Sequence, residues 1–252
     1  MTPPVERSLA KRVWYDSLRV VCRMLFVVVF RMRARGREYL PAEGGGLVLS
    51  NHQSHLDPVI VGLTCDRRMN YVARTTLFRF APFRWLINSL DAIPIDREGG
   101  GRAGLKETLK RVKRGELVLL FPEGTRTPDG EVHRIKPGFC YIARRANVPI
   151  FIVAFDGAYD AWPRDHKLPR RSVIHLQYAP PITTAEFEQM TDEQLVAEAE
   201  RRIRWCHAEA RRHRYIAMGK LEASDESING DGPTQARSAS EGTSSHPNPP
   251  EK

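Results

Sequence analysis

From about residue 45 onward, short runs rich in Val, Ile and Leu alternate with longer amphipathic stretches, and few architectures accommodate that order. Residues 46–50, 70–73, 92–95, 116–121 and 149–155 read as short strands, and residues 172–178 alternate apolar with polar side chains. Residues 102–114 and 138–146 read as helices between them. Such alternation predicts an α/β fold, a single domain whose mostly parallel sheet is flanked by helices. The 252 residues suffice for one domain of this kind and are short for two. Residues 185–218, rich in Glu and Arg, predict a last helical region lying over the sheet. Beyond Gly219 the chain is Ser, Gly, Pro, Asp and Glu with almost no large apolar residue. Such a segment cannot bury enough surface to offset its ordering entropy, so residues 219–252 are expected to form a disordered tail.

The formal net charge is +9, and its placement says more than its sum. The tail holds three Lys/Arg and six Asp/Glu, which leaves 36 basic against 24 acidic residues, or +12, on the rest. A basic body suits an anionic partner: nucleic acid, an acidic lipid surface or a phosphorylated substrate. Nine of the basic residues, against three acidic ones, fall within residues 1–39. Residues 5–39 read as one long helix in which Trp14, Leu18, Val21, Leu25 and Val28 share a face. Arg12, Asp16, Arg19 and Arg23 repeat about half a turn away, and Arg31, Arg33, Arg35 and Arg37 follow the apolar run of residues 24–30. Seven apolar residues cannot span a bilayer, which needs about 20. Residues 1–40 are therefore expected to be an amphipathic helix lying in the interface, its arginines toward anionic headgroups. The competing reading is a helix packed on the domain's own core with its arginines solvated. Residues Asp16, Arg19 and Arg23 interrupt the apolar region too early for a secretory signal. Cys22, Cys65, Cys140 and Cys206 are widely spaced, which provides neither a zinc-knuckle spacing nor a disulfide framework.

Two segments carry chemistry, and each follows a strand. The first is Asn51-His52-Gln53-Ser54-His55-Leu56-Asp57-Pro58. A turn into a helix can bring the Asp57 carboxylate back to one imidazole nitrogen of His52. That contact would set the tautomer and leave the other nitrogen to take a proton, making a base and its orienting partner. Three alternatives stand beside it: a metal site of His52, His55 and Asp57, a nucleophilic Ser54, and a turn with ordinary capping residues. The second segment is Phe121-Pro122-Glu123-Gly124-Thr125-Arg126-Thr127. Loops beyond the carboxyl ends of strands are where open α/β sheets bind ligands. Glu123 can accept from hydroxyls, Gly124 permits close approach, and Arg126 offers a fork for phosphate. Arg97 and Lys136 add two more cations, so the set predicts an anion pocket near His52. The glycines at 99, 100, 101 and 104 lack the Gly-Lys-Ser/Thr ending of a phosphate loop and read as a connection. No nucleic-acid-binding module is recognisable, and no nucleic-acid partner is expected.

Together these segments resemble the glycerolipid acyltransferases, specifically the 1-acylglycerol-3-phosphate (lysophosphatidic acid) acyltransferases, over roughly residues 45–180. His52 and Asp57 match the first motif of that family, and Phe121-Pro122-Glu123-Gly124-Thr125-Arg126 matches the third almost letter for letter. Residues 92–97 are similar to the second and Val148-Pro149-Ile150 to the fourth. The resemblance implies a glycerol-3-phosphate acyltransferase-like fold across residues 41–218. It implies that His52, held by Asp57, deprotonates the sn-2 hydroxyl of 1-acylglycerol 3-phosphate, which attacks the thioester of acyl-CoA or acyl-carrier protein to give phosphatidic acid. Arg97, Glu123, Gly124, Thr125, Arg126 and Lys136 would bind the glycerol phosphate. No cofactor, metal or covalent enzyme intermediate is implied, and the expected location is the cytoplasmic face of the cell membrane. Asp91 and Pro94 depart from the second motif, and Phe151-Ile152-Val153 from the fourth, which leaves the acceptor less defined than the reaction. The alternatives are a family member acting on another lysolipid or another hydroxyl or amine acceptor, and a non-catalytic basic protein that only binds membranes or nucleic acid.

Overall fold

The structure is a computed structural model that describes residues 9–74, 93–95, 102–166 and 168–222. Residues Gly46–Ser50 form β2 and Ile150–Asp156 form β6, and both are buried along their whole length. A strand covered on both faces has no polar side to alternate with, which is why both read as continuous apolar runs. Leu47, Leu49, Ile150, Ile152 and Ala154 enter one core layer, while Val48, Val153 and Phe155 enter the other. The remaining strands are β1 (Arg33–Arg35), β3 (Met69–Arg74), β4 (Ile93–Ile95), β5 (Leu117–Leu120) and β7 (His175–Ile182). Their order across the sheet is β1-β7-β6-β2-β5-β3-β4, and every neighbouring pair is parallel except β6 with β7.

Helices α1 (Leu9–Phe30) and α2 (Asp57–Thr64) lie against the layer of Val48 and Phe155, whereas α4 (Gly138–Ala146) and α7 (Asp192–Ala217) lie against that of Leu49 and Ile152. The others are α3 (Arg102–Lys113), α5 (Ala158–Ala161) and α6 (Thr184–Glu188). The expected single α/β domain with a mostly parallel sheet is what the chain forms. The helical region expected over 185–218 consists of two helices, α6 and α7. Thr183 with Glu186 and Thr191 with Gln194 each close a capping box, so each helix has its own start signal.

The helix expected over residues 5–39 is corrected. It ends at Phe30, Arg31 adopts a positive φ of 45°, and the chain reverses into β1. Pairing of β1 with β7 satisfies backbone groups along a sheet edge, which a continued helix would leave open. Arg33 and Arg35 therefore sit on an edge strand, and Arg37 opens the short 3-10 helix Arg37–Tyr39 after it, rather than continuing α1. The buried face of α1 is Tyr15, Phe26 and Phe30. The face of Trp14, Val21, Leu25 and Val28 is exposed, Val28 by 74%. Arg97, the segment 96–101, the second-motif positions before β4, and the tail from 223 onward lie outside the described residues.

Candidate active site

Strands β2 and β5 are adjacent and parallel, with Leu49 opposite Leu120, so both motif-bearing loops leave the same edge of the sheet. Asn51 fixes the first loop. Its amide donates to the Phe155 carbonyl at 2.9 Å and accepts from the Phe155 N–H at 3.1 Å, continuing the β2–β6 ladder with a side chain. Thr127 N–H then donates to the His52 carbonyl at 2.7 Å, while His52 N–H donates to Glu123 Oε1 at 3.1 Å. The second loop thus grips the main chain of His52 at both polar atoms.

Asp57 opens α2 and is fully buried. Its Oδ2 accepts from the backbone N–H groups of Gln53 at 2.6 Å and Ser54 at 2.8 Å, and lies 2.6 Å from His52 Nδ1. An oxygen already accepting two N–H groups has to accept the third contact as well, so the imidazole proton sits on Nδ1. Nε2 has no protein partner among the described residues, and the His52 side chain is 20% exposed. Burial raises the Asp57 carboxyl above its ordinary range, against the pull of His52, Ser54 and Gln53. A carboxylate made more basic in this way holds the Nδ1 proton more firmly. The ring is held by Phe121, stacked at 4.1 Å between centroids and 14° between planes.

Ser54 is fully buried and its Oγ accepts from Leu56 N–H, so it presents no nucleophile. His55 packs at a tilt against Trp162, 5.1 Å between centroids. Asp57 accepts from residues upstream of α2 and does not cap it.

Glu123 is buried and faces the His52 main chain rather than open space. Burial lifts its carboxyl to about 7, opposed by the N–H groups of His52 and His133. Because the folded value exceeds the ordinary 4.5, this group contributes stability that is full below pH 4.5 and lost as pH rises through 7. Glu123→Gln keeps an acceptor for His52 N–H and removes the titration. Urea unfolding between pH 4.5 and 7 should therefore show a flatter profile for the variant, the difference reaching roughly 3 kcal/mol. Parallel profiles would mean that Glu123 does not titrate in this range.

Gly124 has φ +76°, and a Cβ added there would lie 3.0 Å from Lys136 Nζ, so the ammonium already sits over this glycine. Thr125 is exposed and Arg126 half-buried. The Arg126 charge reaches His55, whose imidazole is pushed down by burial and then by Arg126 and His52. Arg126, Lys136 and His52 are thus gathered at one sheet edge. Three contacts were not read from sequence: the Phe121 stack, the amide of Gln53, and His207. The Gln53 amide donates to the Gly130 carbonyl at 2.7 Å, accepts from Tyr159 N–H at 3.2 Å, and lies 3.2 Å from His207 Nε2 on α7. Phe121 belonged to a segment already singled out, but His207 carried no signal among eight histidines.

The family model described as Acyltransferase matches residues 31–156. The 1-acyl-sn-glycerol-3-phosphate acyltransferase of Bacillus subtilis (strain 168) is 26% identical over 167 residues, 66% of this chain and 81% of that protein. The protein of that name from Pseudomonas aeruginosa is 32% identical over 143 residues, 55% of this chain and 54% of that one. Against the chloroplastic BAT2 enzyme of Brassica napus the identity is 29%, and the chain spans only 40% of its length. The crystal structure of the 1-acyl-sn-glycerophosphate (LPA) acyltransferase PlsC from Thermotoga maritima superposes with a TM-score of 0.68 at 24% identity, covering 80% of this chain and 81% of that one. It has the same fold.

Proposed function

We propose, for a chain that belongs to the acyltransferase family, that it esterifies the sn-2 hydroxyl of 1-acylglycerol 3-phosphate from acyl-CoA or acyl-carrier protein. The observation carrying this reading is the 2.6 Å contact of His52 Nδ1 with buried Asp57, made beneath a loop that bears Arg126. Nε2 would take the proton of the acceptor hydroxyl as its oxygen attacks the thioester carbonyl. The C–S bond then breaks, and the imidazolium returns the proton to the departing thiolate. Asp57 stabilises the transient imidazolium. Arg126 and Lys136, with Thr125 and Gly124, receive the phosphate, and Arg97 completes the set in this proposal. Glu123 serves the site by holding His52 in place. Relatives named for the same acceptor support the choice of substrate.

The protein acts, in this reading, on the cytoplasmic face of the cell membrane. Nine large hydrophobic side chains of α1 are exposed, from Leu9 to Val28. So wide an apolar surface suits a bilayer better than water. No described helix is long and apolar enough to cross a membrane, so α1 would lie in the interface.

The test is acyl transfer with purified protein, vesicles present, on lysolipid acceptors with and without a phosphate monoester and on both donor types. Turnover restricted to acceptors without phosphate would overturn the substrate assignment. Arg126→Ala should raise KM for lysophosphatidic acid roughly ten- to hundred-fold with kcat less affected, the loss of one or two charge-assisted hydrogen bonds. Unchanged kinetics would remove Arg126 from the pocket.

A further inference from the structure

Arginines at the outer edge of the sheet are not used by the chemistry at His52. Strand β1 is Arg-Ala-Arg, and neither Arg33 nor Arg35 has a carboxylate partner among the described residues. Arg23 on α1 and Arg37 after β1 share a single carboxylate, Asp66, at 3.7 and 2.7 Å. A cavity of about 340 Å³ lies between α1 and β1, lined among others by Arg23, Arg33, Arg35, Arg37 and Val27. Four permanent cations thus border one cavity, and among the described residues one carboxylate, Asp66, pairs with them.

The charge is felt by the neighbouring strand. His175 stands opposite Arg33 in register, is buried, and its Nε2 has no hydrogen-bond partner among the described residues. Its imidazole is pushed down to about 4, first by burial and then by His213, Arg33 and Arg35. Two carboxylates lie on that side: Asp156 stands opposite His175 on β6, and Glu209 lies 3.8 Å from His213 Nε2.

We propose that this edge holds the phosphate of an acidic phospholipid headgroup, at a site separate from the acceptor pocket beside His52. Planar guanidinium forks match phosphate oxygens, and bringing an anion there relieves the repulsion among them. The lipid source follows from Val27, which lines the cavity and also belongs to the exposed apolar face of α1, with Met24 and Val20 one and two turns before it. A headgroup in the cavity has its acyl chains continue along that face. Strands β7 and β6 separate β1 from β2, a distance of roughly 14 Å at about 4.8 Å per strand, so the two phosphate sites do not overlap. The proposal rests on the reading that α1 lies on a bilayer.

The experiment is sedimentation of the full-length protein with phosphatidylcholine vesicles, with and without phosphatidylglycerol. Three double variants are compared: Arg33→Ala with Arg35→Ala, Arg33→Lys with Arg35→Lys, and Lys110→Ala with Lys113→Ala on the exposed side of α3. The Ala pair at 33 and 35 should weaken binding to phosphatidylglycerol vesicles by at least roughly tenfold. The Lys pair should lose much of the same binding, because charge is kept but the fork is not. The α3 pair, with the same charge change, should lose less than about twofold. Equal losses for the α3 pair, or wild-type binding by the Lys pair, would reduce the effect to diffuse attraction and overturn the site. Displacement from vesicles by inorganic phosphate at constant ionic strength would assign the cavity to the free ion and overturn the lipid assignment. Wild-type protein that ignores both vesicle types sinks the bilayer reading and this one together, whereas wild-type binding with indifferent variants sinks this one alone. Circular dichroism and transfer to a monomeric short-chain acceptor, both expected to be unchanged, establish that each variant is folded.

Discussion

Replacing His52 by Ala should cut the rate of acyl transfer by roughly 10²–10⁴-fold, the range supplied by a positioned base, while the protein stays folded. The contacts that shape this loop belong to the His52 main chain, its N–H to Glu123 and its carbonyl to Thr127, and Ala preserves both. Losses to stability are the Phe121 stack and one of three donors to Asp57. Together these are worth about 1–2 kcal/mol, a drop of a few degrees in Tm for a chain of this size. Steady-state assays on purified variant, alongside a thermal melt, separate the two effects. A variant that melts near wild type and still turns over at a wild-type rate would remove His52 from the chemistry.

Asp57→Asn should cost comparable activity and, unlike the His52 change, visible stability. Asp57 is fully buried and one of its oxygens, Oδ1, already lacks a hydrogen-bond partner among the described residues. An amide nitrogen in that position buries donors with nothing to accept them, a penalty of about 1–3 kcal/mol. The neutral amide also fails to stabilise the imidazolium, so transfer should fall by about two orders of magnitude or more. Asp57→Ala should be worse for folding, because the N–H groups of Gln53 and Ser54 lose their acceptor. Since Asp57 is argued to act through His52, the double variant His52→Ala with Asp57→Asn should be little slower than His52→Ala alone. Rate losses that simply multiply would show that the two side chains work independently.

Much of the frame is legible without coordinates. Strands β2, β5 and β6 are short, apolar and bounded by turns, and each lies within about two residues of its expected place. Helix α4 begins and ends where the pattern put it. The edge strand β1 escaped because three residues, two of them Arg, have no apolar alternation to find. Its identity as a strand comes from β7, roughly 140 positions later. Glu123 was expected to accept from substrate hydroxyls; that its Oε1 accepts from the main chain of His52, 71 positions away, was not legible in the sequence.

Local spacing is enough to put His52 and Asp57 five positions apart across a strand–helix turn, and to set two chemically equipped loops after strands. It also determined that α1 would be apolar on a face with arginines nearby. These are local properties, set by spacing and side-chain type along one stretch of chain. The folded chain sets which strands are neighbours, and so that both loops meet at one edge. It alone decided that Phe121 stacks on His52, that His207 reaches Gln53 from 154 positions away, and that Tyr15, Phe26 and Phe30 are the covered face of α1 while Trp14 to Val28 is the open one. Periodicity can say that a helix has an apolar face. What covers that face depends on sheet order and burial, which are sums over residues distant in sequence.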